Sequence, residues 1–151
     1  MIRLGIIGSN YGRTVQLPAF RADRRCEVVA LAGSDPKSAV ERARDSGVPK
    51  GYGGWRALVE DDDVQVVAIA TLPSLQVPIA LRALELGKPV FAEKPMAADL
   101  AGAERMARAA GKLTTAVDFN FSAILSFRKA KDSNGCSRSV SCCHWLPFQC
   151  L

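Results

Sequence analysis

The sequence predicts an α/β protein built on a doubly wound parallel sheet, and three observations carry that expectation. Short runs rich in branched residues alternate with segments of helical periodicity. A glycine-bearing turn, Gly8-Ser9-Asn10-Tyr11-Gly12-Arg13, follows the first run, and Glu93-Lys94-Pro95 follows a later one. Alternation of this kind implies right-handed βαβ crossovers with helices on both faces of the sheet. In such sheets ligands bind beyond the carboxyl ends of the strands, where both turns fall.

The elements follow in order. Residues 2–7, 28–32, 64–70, 90–92 and 114–117 are apolar on both faces, as strands covered on two sides should be, and a weaker strand is expected over 48–52, before Gly53-Gly54. Helices are expected over 16–23, 36–46, 55–60, 74–86 and 99–110, with Gly47, Gly87 and Gly111 as stops. Asp99 reads as an N-cap. Residues 1–120 are expected to form one dinucleotide-binding domain. Residues 121–131 would begin a linker helix toward a further domain, and residues 132–151 form a Ser/Cys-rich tail of different composition.

Composition narrows the function classes. A chain of 151 residues with 48% hydrophobic and 23% charged residues is ordinary for a soluble globular domain with a real core. The 20 Lys+Arg against 15 Asp+Glu give +5, but the basic residues are scattered along predicted helices rather than clustered with aromatics, which argues against nucleic acid as a partner. No apolar run reaches the roughly 18 residues that a membrane span needs. The first residues lead straight into the glycine turn with no cleavage site, so they are expected to be a strand and not a signal peptide. Cys26 is the one cysteine of the main body, which is expected to be reduced and cytoplasmic.

The turn after the first strand has the context that a phosphate-binding fingerprint requires, between a strand and a helix. Gly8 permits a tight turn, and Gly12 would let backbone N–H groups and the helix terminus approach a pyrophosphate without a Cβ in the way. Asn10 stands where a middle glycine is usual and tolerates positive φ better than most residues. At the end of the second strand, Gly33 occupies the position where an acidic ribose ligand is expected, followed by Ser34. Lack of a carboxylate there, with Ser34, Lys37 and Arg13 as donors, favours NADP over NAD. Asp35 could instead be the ribose ligand displaced by a residue or two, and Asp35-Pro36 also reads as an N-cap followed by proline at the first helical position. Thr71 and Pro73 form a rigid exit from the fourth strand that can face the cofactor's ribose or nicotinamide side, or simply a strand exit with Ser74 capping the next helix. Lys94 carries a movable ammonium able to hydrogen-bond or protonate a substrate oxygen. A solvated Glu93-Lys94 charge pair on a surface turn is the competing account.

Gly5-Ile6-Ile7-Gly8 with Leu17-Pro18-Ala19-Phe20, then Ala70-Thr71 and Pro73, then residues 83–95 ending in Glu93-Lys94-Pro95, together resemble the amino-terminal, Rossmann-type NAD(P)-binding domain of the Gfo/Idh/MocA oxidoreductases. The stretch over 80–96 is the most specific part, and the match extends to about residue 131. The resemblance implies NAD(P)-dependent hydride transfer at a carbon bearing a hydroxyl or carbonyl, often on sugars, cyclitols or their derivatives. It implies that Lys94 touches the reacting oxygen, that Glu93 and Pro95 position it, and that the bond between Lys94 and Pro95 is often cis. Asn10 in place of glycine, Gln76 where many members have histidine, and Ser122 where many have arginine depart from the pattern.

Members continue into a second α/β domain that covers the nicotinamide, supplies most substrate contacts and usually forms the oligomer interface. Here the helical pattern of residues 127–131 gives way to a tail with Cys136, Cys142, Cys143, His144 and Cys150. The tail has no C-x-x-C pair, so no metal site is expected, and a disulfide suits a cytoplasmic domain poorly. The expectation is an aberrant tail, out of frame with an ancestral continuation. The function expected is therefore an oxidoreductase represented by its cofactor domain, with a sugar-like small molecule as substrate. A dinucleotide-binding or regulatory module without turnover, or an inert truncated product, is the alternative.

Overall fold

A computed structural model describes residues 1–119. Six strands form one parallel sheet: β1 (Ile2–Ile7), β2 (Cys26–Ala32), β3 (Lys50–Tyr52), β4 (Val66–Ile69), β5 (Val90–Glu93) and β6 (Ala116–Asp118). Their order is β3-β2-β1-β4-β5-β6. Chain progress thus runs outward from β1 in one direction and, after the crossover to β4, outward in the other. The reversal between β1 and β4 opens a crevice at the carboxyl ends of those two strands.

The helices are α1 (Leu17–Ala22), α2 (Pro36–Asp45), α3 (Trp55–Glu60), α4 (Pro73–Glu85) and α5 (Leu100–Ala110). Leu4, Ile6 and Leu31 pack on one side of the sheet with Leu17 of α1 and Ala43 of α2. Ile7, Val67 and Ile69 pack on the other with Leu58 of α3, Ile79 of α4 and Met106 of α5. Leu4 and Ile6 share one face and Ile7 takes the opposite one, as the two-residue period of a strand requires. Phe20 and Phe91 close the first core edge-on, with ring centres 5.4 Å apart.

The expected strand and helix succession holds, with local corrections. The strand expected over 64–70 pairs only from Val66 to Ile69, because Val64 N–H is spent on the Asp61 carbonyl at 3.0 Å in the preceding turn. The last strand lies one to two residues later than expected, at Ala116–Asp118. The first helix does not begin at Gln16: a π-turn over Gly12–Gln16 runs directly into α1. Ser74 caps nothing, since α4 starts at Pro73 with Leu72 as its cap residue and no side-chain cap bond. Asp35 and Asp99 do cap α2 and α5, accepting from Ser38 N–H at 2.8 Å and Gly102 N–H at 2.6 Å. Gly47, Gly87 and Gly111 end their helices at positive φ. The expected linker helix, Ser122 and the cysteine-rich tail lie outside the described residues.

Candidate functional site

The turn after β1 is shaped by the closeness of two strands. Gly8 has φ +127°, and a Cβ on it would sit inside van der Waals contact of the Ala70 carbonyl oxygen. Its N–H donates to Ala32 O at 3.0 Å, while Ala70 N–H donates to Ile7 O at 2.8 Å. The chain can leave β1 beside β4 only with glycine there. At Gly12 a Cβ would meet Ile6 Cγ2 at 2.7 Å, so the glycine also serves close packing of the helix on β1. Asn10 opens that helix, its carbonyl accepting from Thr14 N–H at 2.9 Å and from Thr14 Oγ1 at 3.1 Å.

The end of β2 leans on the same turn. A Cβ at Gly33 would stand 3.0 Å from Ser9 Oγ, and Gly33 N–H donates to Tyr52 O at 3.0 Å. Arg42 Nη1 donates to Ser9 Oγ at 2.7 Å, and Arg13 Nε donates to Ser9 O at 3.4 Å. Two guanidinium groups therefore converge on Ser9. Ser34 and Lys37 are exposed beside this cluster, between β2 and the first turn of α2. The Asp35 carboxyl is held below its usual range, first by the Ser38 backbone N–H it caps, with the Arg42 charge contributing less. Arg42 was not singled out in the sequence, although it lies about two helical turns beyond the Asp35 cap, a spacing that returns to the same face.

The third element of the site is the end of β5. Lys94 is exposed, the bond between Lys94 and Pro95 is cis, and the Lys94 ammonium makes no ion pair among the described residues. The solvated Glu93-Lys94 pair therefore does not form. Glu93 turns inward instead, 7% exposed, and accepts from Gln16 Nε2 at 3.0 Å. Burial pushes the Glu93 carboxyl above its usual range, the Gln16 donor opposes that, and the neighbouring Asp118 carboxyl adds to the rise. Gln76, 1% exposed, donates from Nε2 to Pro95 O at 2.9 Å. Gln16 and Asp118 escaped the sequence reading because only the π-turn and the strand register bring them to Glu93.

Tyr11, Ala70, Thr71, Glu93 and Lys94 line one cleft of about 190 Å3. Of the residues expected to act together, the structure gathers Tyr11, Thr71, Glu93 and Lys94 in that cleft and Ser9, Arg13 and Gly33 at the β2 end. Pro73 is set back in the first turn of α4. Among the described residues no group of three or more His, Cys, Asp or Glu could hold a metal ion, and no helix is long and apolar enough to cross a membrane.

The family model for oxidoreductases of the Gfo/Idh/MocA type, described by an NAD-binding Rossmann fold, matches residues 2–121. A dehydrogenase, aclE, from Aspergillus oryzae is 33% identical over 119 residues, covering 72% of this chain and 32% of that protein. The 1-carboxy-3-chloro-3,4-dihydroxycyclohexa-1,5-diene dehydrogenase of Comamonas testosteroni is 36% identical over 114 residues, covering 74% of this chain and 29% of that protein. Among solved structures, KijD10, a 3-ketoreductase from Actinomadura kijaniata in complex with NADP, superposes with a TM-score of 0.78 at 33% identity, over 89% of this chain and 44% of that one. An NAD-binding oxidoreductase from Klebsiella pneumoniae gives a TM-score of 0.74 at 33% identity, over 89% of this chain and 38% of that one. The chain thus spans about a third of the length of the curated relatives it matches.

Proposed function

The chain belongs to the Gfo/Idh/MocA family of oxidoreductases with an NAD-binding Rossmann fold, and from that premise we propose that it forms the nucleotide-binding part of an NAD(P)-dependent dehydrogenase acting on the CH–OH carbon of a sugar, cyclitol or related diol. The supporting observation is convergence: residues from the turns after β1, β4 and β5, namely Tyr11, Thr71 and Lys94, share one cleft at the strand-order reversal.

The residues present fit a dinucleotide. Gly8 makes the tight turn, and the backbone from Ser9 to Arg13 opens a helix whose positive end suits a pyrophosphate. Gly33 presents no carboxylate to repel a 2′-phosphate. Arg13 and Arg42 meet at Ser9, with Ser34 and Lys37 close in sequence, so NADP is favoured over NAD. Thr71 lines the wall toward the nicotinamide side, with Pro73 behind it in the first turn of α4. Bound NADP or NAD supplies the two-electron acceptor or donor. Lys94 holds and moves the proton at the substrate oxygen: as the neutral amine it takes the hydroxyl proton as the C–H bond is lost, and as the ammonium it returns the proton in the reverse direction. Cys26, the one cysteine of residues 1–119, is free, which suits a reduced, cytoplasmic setting.

A second reading is a dinucleotide-binding module without turnover. It rests on the same turns after β1, β4 and β5, which carry the nucleotide contacts proposed above. Calorimetry with NADPH and NADH, followed by a polyol oxidation assay, separates the two. Binding with turnover that the Lys94→Ala change removes supports the dehydrogenase. Binding without turnover of any polyol supports the module, and binding of neither nucleotide rejects both.

A further inference from the structure

β3 is an edge strand of three residues, so its ladder to β2 is short, pairing Lys50, Gly51 and Tyr52 with Ala30, Leu31 and Ala32. Lys50 and Tyr52 lie two apart and therefore share one face, and both send their polar ends to a single carboxylate. Lys50 Nζ donates to Asp61 Oδ1 at 3.0 Å and to Oδ2 at 2.8 Å, and Tyr52 Oη donates to Asp61 Oδ2 at 2.8 Å. The Asp61 side chain is 11% exposed, so these bonds form largely out of water, where an unmade partner is costly. Asp61 is itself fixed. Its Oδ1 accepts from Asp63 N–H at 3.0 Å, and Lys88 Nζ, at the entry to β5, donates to the carbonyls of Val59 and Asp61 at 2.7 Å each. Asp61 follows α3 and precedes β4, which places it at the amino edge of the sheet, opposite the cleft.

The opposite face of the same segment is bare. A Cβ on Gly51 would stand 2.7 Å from Val40 Cα and 2.9 Å from Ala39 O, and a Cβ on Gly53 would overlap Pro36. The segment thus lies directly on the backbone of α2, with no side chain of its own between them. At its end, Tyr52 O accepts from Gly33 N–H at 3.0 Å. One hydrogen bond to Gly33 and one close contact at Pro36 therefore brace the loop from β2 to α2. That loop carries Gly33 and Ser34 and leads into Lys37, the residues assigned above to the ribose end of the nucleotide. A binding site that is correctly formed for only part of the time binds more weakly by that fraction, so whatever steadies Tyr52 bears on affinity.

We propose that Asp61 is a remote positioning residue for the ribose end of the nucleotide: by clasping Lys50 and Tyr52 it holds β3 against α2, and β3 in turn holds Gly33 and the start of α2 in the shape that receives the 2′ position. The positioning role rests on the reading of the ribose end given above; the clasp on Gly33 stands apart from it. Asp61 touches neither nucleotide nor substrate in this scheme and acts through Tyr52.

Two variants of the full chain test this by amide hydrogen exchange in NMR and by binding: Tyr52→Phe, which deletes one hydroxyl, and Asp61→Ala, which deletes the clasp. In Tyr52→Phe the Gly33 amide is expected to exchange about fivefold faster, the worth of one hydrogen bond. The Ala70 amide, bonded to Ile7 O at 2.8 Å at the end of β4, should keep its rate within about twofold. Equal acceleration of both amides would mean that the whole domain loosens, and an unchanged Gly33 rate that the hydroxyl braces nothing; either result overturns the clasp. Binding is read with NADPH and with adenosine 2′,5′-bisphosphate, which has the 2′-phosphate end and no nicotinamide. Both are expected to weaken by one common factor, about fivefold in Tyr52→Phe and more in Asp61→Ala. Unchanged affinities beside a faster Gly33 amide overturn the positioning role, and so does a loss confined to NADPH, which would put the defect at the nicotinamide side. Should Asp61→Ala fail to fold, Tyr52→Phe alone decides each of these outcomes. A wild type that binds neither probe removes the functional reading and the positioning role with it, whereas the exchange rates still decide the clasp.

Discussion

Gln76 Nε2 donates to the carbonyl oxygen of Pro95 at 2.9 Å, so a buried side chain of α4 fastens the turn that carries Lys94. The bond replaces the solvent that Pro95 O would otherwise need. Gln76→Ala is expected to cost about 2 kcal/mol, from an unsatisfied carbonyl and a small cavity. Gln76→Glu should cost more at neutral pH, because an acceptor then faces an acceptor in a buried site, and should recover as the new carboxyl protonates on acidification. Urea unfolding at two pH values measures both. Equal stability of Gln76→Ala and wild type would show that the bond carries no weight.

Two glycines with opposite surroundings give a second test. Gly8 combines φ +127° with the Ala70 carbonyl where a Cβ would go, while Gly54 has extended backbone at φ 175° and nothing within 4 Å of a Cβ. Gly8→Ala is expected to lose at least about 2 kcal/mol from strain and overlap. Gly54→Ala should stay within about 0.5 kcal/mol of wild type. Thermal unfolding of the pair decides it, and comparable losses would mean that the approach of β1 to β4 is looser than described.

Much of this fold was legible because its signals are local. The helix stops at Gly47, Gly87 and Gly111 and the caps at Asp35 and Asp99 depend only on a few neighbouring residues, and each stands where the sequence put it. The doubly wound class was legible from alternation. What escaped was set by geometry across the sheet. Gln16 meets Glu93 through a π-turn that periodicity cannot announce, and Asp118 meets Glu93 only through the β5–β6 register. The packing constraint on Gly12 was not legible either, since the Ile6 side chain that excludes a Cβ comes from β1 beneath the helix.

Acid should weaken the start of α2. The Asp35 carboxyl is held below its usual range chiefly by the Ser38 N–H it caps. A carboxyl whose folded pKa is depressed contributes stability that is present above its unfolded value and is lost as pH falls through the folded value. The melting temperature of Asp35→Asn, whose cap no longer titrates, should therefore fall less than that of wild type on acidification below about pH 4, the ordinary aspartate range. Parallel curves for the two proteins would show that this cap does not report on pH.

Cofactor preference is expected to follow Arg42. Its Nη1 is 2.7 Å from Ser9 Oγ, which in turn lies 3.0 Å from where a Gly33 Cβ would be, so the guanidinium sits beside the position where an acidic residue would bind a ribose. A guanidinium can pair with a 2′-phosphate through two parallel hydrogen bonds, and a 2′-hydroxyl offers it much less. Arg42→Ala is therefore expected to weaken NADPH binding by about tenfold and NADH binding by less than about twofold. Gly33→Asp should shift preference toward NADH, but with some loss of stability because its Cβ crowds Ser9. Fluorescence titration with both nucleotides reads the ratio directly. Equal weakening of the two by Arg42→Ala would mean that the residue supports the turn through Ser9 and does not read the phosphate.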